Sequence, residues 1–517
     1  MSPFPHDQSG DEGYAGADAT PATPDPMTPL QHALHAHDRL SHGLTRQETI
    51  RLDTILTDLQ RESFGYFVHE VNEANGLVMD KTAPDWPASI AAVGMALTTY
   101  PIGVQRGLMT RAQALERTLV TLRFLAACEQ SDSPVASGYR GFFYHFLDMN
   151  TGRRAWQCEL SSIDTALLMA GVLTSATYFK GQTPGEAEVR ALATTLYERV
   201  EWDWLVGERG TLCHGWKPET GKLPWHWEGY DEALVLYLLA LGSPTHPAPA
   251  SSYDAWCETY QWKTVEGLTY LHAGPLFIHQ MSHLWVDFRE LQDAFMREHE
   301  SDYFQNSRIG AEVQQRYAIR NPRRHAMYGE FCWGISASDG PGRARWHGNG
   351  ESPYYDYIAR AVPDGPDDGT LAPWAVVASL PFAPEIVLPT IAHYRHIQLH
   401  TANPYGFKAS FNPSYPTDYK HAIGWVSPYH FGINEGPTVV MIENHRTGLV
   451  WRLMRSCAPI VAGLRRAGFD GGWLGDIPDA SPCAATPPMP TPDAFEPPTP
   501  PIATAVEKTV PAQGSMP

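Results

Sequence analysis

The segment from 225 to 233 concentrates side chains that could carry out acid–base chemistry. It contains three carboxylates and three large aromatic residues: Glu228, Asp231 and Glu232, with Trp225, Trp227 and Tyr230. Aromatic faces can stack on sugar rings. Carboxylates crowded into a low-dielectric cleft have their pKa values pushed apart, so that one can donate a proton while another accepts one. The segment is therefore typical of a site that cleaves a glycosidic bond.

The apolar run at 234–241 predicts a helix beginning at about Tyr230. If Glu228 is also helical, it shares a face with Glu232 at spacing i, i+4, and Asp231 lies beside Glu228. Like charges this close mildly destabilise a helix, so their presence favours a functional role. A structural interpretation also exists, because acidic residues favour the first turn of a helix and tryptophans are common in cores.

The composition narrows the class of ligand. The chain has 517 residues, 43% of them hydrophobic and 18% charged, which excludes disorder throughout and allows a large core. Its net charge of -19 disfavours nucleic acid and anionic membrane surfaces as partners. The 16 Trp and 23 Tyr favour a neutral carbohydrate, although large helical proteins also fill their cores with aromatics. We expect no cofactor, and no partner protein is implied.

The cysteines and the N-terminal residues indicate the cellular compartment in which the protein is expected. The seven cysteines contain no CxxC pair, which favours free thiols in a reducing compartment. Residues 1–25 lack the basic and apolar regions of a secretory signal, and no apolar run approaches the length of a membrane span. We therefore expect a cytoplasmic protein, with export by an unrecognised route left open.

The sequence pattern predicts one helical domain between two polar terminal segments. Residues 1–44 and the Pro-rich residues 477–517 predict disordered segments, and 45–476 a single domain. Helical periodicity recurs in the segments 46–71, 89–100, 111–127, 162–178, 186–200, 230–241, 276–288, 301–320, 371–380, 384–399 and 436–467. Strand-like pieces such as 141–147 are few. This pattern predicts an all-α toroid of alternating inner and outer helices, with long aromatic-rich loops and short hairpins.

Three predicted inner helices have an acidic residue in their first turn: Asp164, Glu232 and Glu435. If the inner helices run parallel, these acids surround one mouth. Capping is the alternative, because Ser161 with Asp164 fits a capping box and Glu435 fits a first turn.

Several motifs occur in a fixed order along the chain: NGLV at 75–78, FFYHF at 142–146, ELSSIDT at 159–165, GYDEA at 229–233, LALGSP at 239–244, GPLFIHQ at 274–280, SH at 282–283, WGISASDG at 333–340, DGT at 368–370, NEGP at 434–437 and MIEN at 441–444. Together they resemble the bacterial glycoamylase-like family from about residue 48 to 468, without large gaps. The ordered set is far more specific than any one motif.

The resemblance implies an (α/α)6 barrel that acts on glucans. The family includes the endo-β-1,2-glucanases of glycoside hydrolase family 144 and a module of the cyclic β-1,2-glucan synthases. Glu232 stands where those glucanases have an essential carboxylate, and Asp164 where they have an acid before Thr. Ser161 departs from the pattern, which has a further acid there. Another linkage, or transglycosylation, therefore remains open.

Glycoside cleavage needs a proton donor and a second carboxylate. Glu232 is the expected donor, since acidic neighbours and aromatic surroundings raise a carboxyl pKa. For the second group we rank Glu435 first and Asp164 next, followed by Asp339 and Glu330. The resemblance favours inversion of configuration.

Other residues are candidate sugar binders, each with core packing as its alternative. They are Tyr144, His145, Trp225, Trp227, Glu228, Tyr230, Asp231, His283, Asp287, Arg289, Trp333, Asp339 and Tyr405.

A metal site is a weaker interpretation of one segment. His279 and His283 stand at i, i+4, with Asp287 one turn further, a spacing that could hold zinc. The glutamate of an HExxH motif is absent, and the resemblance implies no metal in catalysis. We expect no metal. A catalytically inactive glucan-binding or regulatory barrel remains the alternative from another class.

Overall fold

Two kinds of helix alternate in the computed structural model, which describes residues 46–342, 353–416 and 423–478. One kind is buried along nearly its whole length, and the other keeps an exposed polar face. The α-helices of these ranges are α1 (Arg46–His69), α2 (Ile90–Gln105), α3 (Arg111–Ala127), α4 (Ser162–Tyr178), α5 (Pro184–Glu198), α6 (Leu234–Gly242), α7 (Ser251–Cys257), α8 (Ala294–Glu298), α9 (Tyr303–Arg320), α10 (Pro373–Ala378), α11 (Pro384–His396), α12 (Gly432–Arg446), α13 (Leu449–Met454) and α14 (Ala458–Arg466).

The buried helices α2, α4, α6, α10 and α12 form an inner ring. All of α6 and α10 is buried, as expected for helices that are apolar on every face. Helix α2 packs between α4 and α12, and α12 also packs on α10. Two short 3-10 helices, Leu276–His279 and Ser282–Leu284, complete the ring between α6 and α10. Each inner segment follows one outer helix, in the order α1, α3, α5, α7, α9 and α11. The expectation of an (α/α)6 toroid is confirmed.

Short antiparallel strands lie in the loops that join the helices. They are β1 (Ala88–Ser89), β2 (Gly138–Tyr139), β3 (Phe142–Phe143), β4 (Phe146–Leu147), β5 (Leu160–Ser161), β6 (Gly215–Lys217), β7 (Gly221–Lys222), β8 (Trp262–Val265), β9 (Leu268–Leu271), β10 (Leu291–Gln292), β11 (Ala337–Ser338), β12 (Ile358–Ala359), β13 (Phe411–Asn412), β14 (Trp425–Val426) and β15 (Asp470–Gly471). Strand β1 runs directly into α2 and pairs with β4. Strand β5 runs into α4 and pairs with β6. These pairings tie the loops at one end of the ring together.

Three predicted helices differ from the observed elements. The helix expected at 230–241 begins only at Leu234, and the helix expected at 276–288 is replaced by the two 3-10 helices. There Gln280 donates to the Ala375 carbonyl and the Ser379 hydroxyl of α10, so tertiary hydrogen bonds replace helical ones. The segment 436–467 contains most of α12 and all of α13 and α14, and Gly448, in a left-handed conformation with φ 64°, separates α12 from α13.

The described residues through Asp476 form one compact unit, and Ile477 begins a second. The predicted disordered segment 1–44 lies outside the described residues, as does the predicted tail apart from residues 477 and 478. The boundaries 45 and 476 stay a prediction. The six cysteines of the described ranges are free thiols, and no helix of those ranges is both long and apolar enough to cross a bilayer.

Candidate active site

The acidic segment before α6 is a turn, which corrects the predicted helical spacing. Gly229 has φ 82°, so Glu228 and Glu232 do not share a helix face. Glu228 pairs with Arg209 at 2.9 Å. The Asp231 carboxylate accepts from the Ala233 backbone N–H at 2.9 Å and so supports the start of α6. The carboxylates of Glu228 and Asp231 therefore point to different partners.

Glu232 has the environment of a proton donor. Its side chain is half-buried where the loop enters α6, and its backbone carbonyl accepts from the Ser282 hydroxyl at 3.4 Å. Burial raises the pKa of Glu232 to about 7, and the negative charge of Asp164 acts in the same direction. Burial also raises the pKa of Asp231 well above its usual value, with a further contribution from Glu232. The carboxyl group of Glu232 thus keeps its proton to near neutral pH.

Asp164 lies in the first turn of α4 and is held by its cap. The Ser161 hydroxyl accepts from the Asp164 backbone N–H at 3.2 Å and donates to Oδ2 of the same residue at 2.6 Å. The capping contact expected from the sequence is present, but the carboxylate returns to the hydroxyl of Ser161 and not to its backbone N–H. Capping thereby also orients the Asp164 carboxylate.

His145 joins two carboxylates on one wall of the site. Its Nδ1 lies 2.9 Å from Glu159 Oε1, and its Nε2 lies 3.7 Å from Asp164 Oδ2. Burial alone would lower its pKa, yet the charges of Asp164 and Glu159 raise the pKa of His145 to about 9. Burial would raise the pKa of Glu159, but the bond from His145 holds it at about 2. An imidazolium therefore faces Asp164 at neutral pH.

Asp80 is a carboxylate of the site that sequence reasoning missed. Trp86 Nε1 donates to Asp80 Oδ2 at 3.0 Å, and the Asp80 carbonyl accepts from the Gly432 backbone N–H at 2.9 Å. Burial raises the pKa of Asp80 to about 6, and the charge of Asp164 contributes. A single acid in a loop carries no local signal, because its neighbours in space come from α12 and from the loop before α4.

Tyr357 shows which acids share the cleft. Its side chain is 53% exposed, and its ring lies 5.9 Å from that of Phe431. Desolvation in the cleft raises the pKa of Tyr357, and so do the negative charges of four carboxylates, those of Asp80, Glu232, Asp164 and Asp339. These four acids lie in four separate segments of the chain. The structure therefore places Asp339, Asp164 and Glu232 in the surroundings of one tyrosine.

A cavity of about 740 Å³ opens beside Asp164. His145, Glu159, Trp225 and Trp227 line it. The Trp225 side chain is 61% exposed, while Trp227 stacks on His214 at 3.9 Å and donates from Nε1 to the Ser162 hydroxyl. An exposed indole beside charged groups is suited to a sugar ring.

Glu435 is bonded to residues other than Glu232. It is buried in the first turn of α12, and Oε1 is 2.9 Å from His430 Nδ1. Burial raises the pKa of Glu435, which His430 partly offsets. The His430 backbone N–H donates to the hydroxyl of Thr82, two residues after Asp80, and the His430 carbonyl accepts from the Thr82 backbone N–H. The Glu435–His430 pair thus supports the segment that carries Asp80. Tyr405, nearby, donates to Glu70 Oε1 at 2.6 Å.

Several predicted sugar binders lie in the core. Tyr144, His283 and Trp333 are fully buried, and Tyr230 packs among Tyr260, His279 and Tyr303. His283 Nε2 is 3.0 Å from the Ser307 hydroxyl, and burial lowers its pKa to about 3. His279 and His283 lie on different 3-10 helices. No group of three or more His, Cys, Asp and Glu within the described ranges could hold a metal ion.

Asp287 and Arg289, both predicted sugar binders, pair with each other far from the cleft. Arg289 donates to both Asp287 oxygens, at 2.7 and 2.6 Å, and Arg455 is a second partner of Asp287. In the preceding 3-10 helix, the Leu284 carbonyl accepts from the side-chain amide of Asn444, which lies near the C-terminal end of α12. The pair therefore lies at the opposite end of the ring from the helix N-termini that surround the cleft.

Comparison with known proteins agrees with this fold. A family model described as "Putative glucoamylase" matches residues 224–458. A curated relative, the exo beta-1,2-glucooligosaccharide sophorohydrolase (non-reducing end) of Parabacteroides distasonis, is 28% identical over 80% of this chain and 58% of its own length. The chain thus spans about three fifths of that relative.

Solved structures resemble the whole ring. A "putative glucoamylase" from Bacteroides uniformis has TM-score 0.71 and 28% identity, covering 82% of this chain and 98% of the other. A beta-1,2-glucanase from P. distasonis has TM-score 0.70 and 25% identity, covering 81% and 60%. An endo-beta-1,2-glucanase from Chitinophaga pinensis, at 24% identity, shares the fold with TM-score 0.71 over 82% and 99% of the two chains. In its toroid and in the motifs around its acidic cleft, the chain is similar to the glycoamylase-like family.

Proposed function

We propose that this chain is a glycoside hydrolase that cleaves β-1,2-linked glucan or its oligosaccharides. The observation that carries the proposal is the half-buried Glu232 carboxyl, with a pKa of about 7, in one cleft with Asp164. The exposed indole of Trp225 supplies a surface for a sugar ring. The linkage is supported by the sophorohydrolase and the beta-1,2-glucanase of P. distasonis, whose names state what those proteins act on.

In this proposal Glu232 protonates the leaving glycosidic oxygen. Asp164 is the second carboxylate and removes a proton from the attacking water; its Oδ2 is oriented by Ser161 and faces the His145 imidazolium. Asp80 and Asp339 accept hydrogen bonds from sugar hydroxyls. Asp164 thereby replaces Glu435 in the second role, because Glu435 is bonded to His430 and supports the Asp80 segment.

The test is a linkage screen with matched variants. The protein is incubated with β-1,2-, β-1,3-, β-1,4- and α-1,4-glucans, and products are resolved by chromatography. We expect product from β-1,2-glucan alone, and a loss of roughly 10²–10⁴-fold in kcat for Glu232→Gln and for Asp164→Asn. Glu435→Gln is the control that should lose less.

Three outcomes would speak against the proposal. Unchanged cleavage by Glu232→Gln would remove the acid assignment. Products longer than the substrate would indicate transglycosylation by the same fold. No product from any glucan would favour a glucan-binding module.

A further inference from the structure

An exposed tryptophan near the cleft has an unusual backbone. The Trp156 side chain is 57% exposed, and Trp156 and Gln157 both adopt left-handed conformations, with φ 53° and 52°. Two consecutive non-glycine residues in this region cost free energy, and such strain persists only where the surroundings impose it. An exposed indole is also unfavourable in water. The position of Trp156 therefore calls for an explanation beyond packing.

A buried arginine holds this loop in place. The Arg154 side chain is 1% exposed; its Nε donates to the Cys158 carbonyl at 2.6 Å and its Nη2 to the Gln157 carbonyl at 2.8 Å. Nη1 pairs with Glu219 at 2.7 Å. The guanidinium thus bonds to the backbone on the C-terminal side of Trp156. The indole is presented on a rigid loop, which lowers the entropy cost of binding a ligand.

The indole forms one wall of a separate cavity of about 490 Å³. Trp86 forms the adjacent wall, with ring centroids 4.7 Å apart and an angle of 71°. Asn72, Asp85 and Asn150 supply polar groups. Asp85 is exposed and is also left-handed, with φ 53°. An exposed aromatic face beside a few polar groups, in a volume of this order, is the usual composition of a small-molecule site.

Two series of side-chain contacts link the walls of the cavity to the cleft. Trp86 donates to Asp80, one of the four clustered acids. The ring centroids of Trp156 and Phe146 are 5.3 Å apart. Phe146 in turn stacks on His145, with ring centroids 3.9 Å apart and an interplanar angle of 13°. His145 in turn faces Asp164 across 3.7 Å. Two side chains, those of Phe146 and His145, therefore lie between Trp156 and Asp164.

We propose that the Trp86–Trp156 cavity is an outer subsite that binds a glucosyl unit of the substrate away from the cleaved bond. This proposal rests on the proposed function and extends it. The sugar ring stacks on the Trp156 indole, and its hydroxyls donate to the Asp85 carboxylate. A chain long enough to reach the cavity gains affinity that a short chain does not.

The experiment compares chain-length series for matched variants. Binding of β-1,2-gluco-oligosaccharides of increasing length is measured by calorimetry in Glu232→Gln, with and without Trp156→Ala. Cleavage of the same series is measured with Glu232 intact. We expect Trp156→Ala to weaken binding of the longer chains about tenfold and to raise their KM equally, with kcat unchanged. The shortest cleaved substrate should be unaffected.

Two controls isolate the stacking contact. Trp156→Phe keeps an aromatic face and should restore most of the length dependence. Phe331→Ala removes another exposed aromatic, 37% exposed and close to His393 on α11, and should change nothing. Identical length dependence in Trp156→Ala and the parent would overturn the outer subsite while leaving the proposed function intact. Absence of cleavage at every chain length in the parent would overturn the proposed function, and this inference with it.

Discussion

The proton-donor character of Glu232 comes from its place in the fold. Residues 228 and 231, its acidic neighbours in sequence, have separate partners in Arg209 and in the Ala233 backbone. Burial is the main cause of the raised pKa of Glu232, and the negative charge of Asp164, in the first turn of α4, raises it further. A carboxyl with a pKa of about 7 can donate a proton at neutral pH, whereas an ordinary glutamate would already be ionised.

The pH dependence of activity follows from this value. A general acid must be protonated in the free enzyme, so kcat/KM on β-1,2-glucan should fall as pH rises through about 7. The slope should approach tenfold per pH unit above that point. Initial rates between pH 5 and 9 check it. In Glu232→Gln the descending limb should be absent from the residual activity. A wild-type profile that stays flat to pH 9 would contradict the assignment of Glu232.

At the scale of elements, inner helices and the strands before them position the acids. Strand β5 delivers Asp164 to the first turn of α4, and β1 precedes α2 close to the loop of Asp80. The spacing of these loops depends on how closely α2 and α4 approach. Gly94 and Gly171 meet at this contact: a Cβ on Gly171 would lie 2.1 Å from the Gly94 carbonyl oxygen. The obstacle is backbone, which cannot rotate away.

We therefore expect Gly171→Ala to destabilise the fold by about 2 kcal/mol or more, because α2 and α4 must separate. Gly185→Ala on the outer helix α5 is the matched control. Its Cβ would meet the flexible Leu115 side chain at 3.2 Å, and the change should stay within about 1 kcal/mol. Urea unfolding of both variants gives the comparison. Equal stability of the two would show that the inner helices adjust freely.

At the scale of the whole molecule, the ring separates a cleft end from a stabilising end. The described carboxylates of the cleft surround the N-termini of α4, α6 and α12. Asp287, at the other end, is fully buried and bonded to Arg289 and Arg455, and its carbonyl accepts from Trp473 Nε1 at 2.7 Å. These bonds join the chain after the second 3-10 helix to the segment around α14.

Asp287→Asn should therefore reduce stability and spare catalysis. The buried partner of two guanidinium groups is lost, and we expect about 2 kcal/mol of destabilisation, since both guanidiniums reach solvent. Thermal unfolding measures the loss, and kcat/KM on β-1,2-glucan should stay within about twofold of wild type. A large fall in kcat/KM at unchanged stability would return Asp287 to the role of a substrate-binding residue.

Local patterns were sufficient for most helices. The bounds predicted for α3 and α4, 111–127 and 162–178, agree with the structure, because caps and apolar periodicity are encoded within each segment. The prediction at 276–288 was wrong because hydrogen bonds from Gln280 to α10 are not encoded in the segment itself. The same distinction applies to the site. Motifs marked Glu232, Asp164 and His145, whereas Asp80 has no local signature.

The sequence by itself determined that this chain builds alternating inner and outer helices and carries an acidic, aromatic-rich segment before one of them. Tertiary structure decided which acids act together. It placed Asp80, Asp164, Glu232 and Asp339 around Tyr357, paired Glu435 with His430, and moved Asp287 to the far end of the ring. The reason is that helix periodicity depends on neighbours along the chain, whereas burial and Coulomb interactions, which set a carboxyl pKa, depend on neighbours in space.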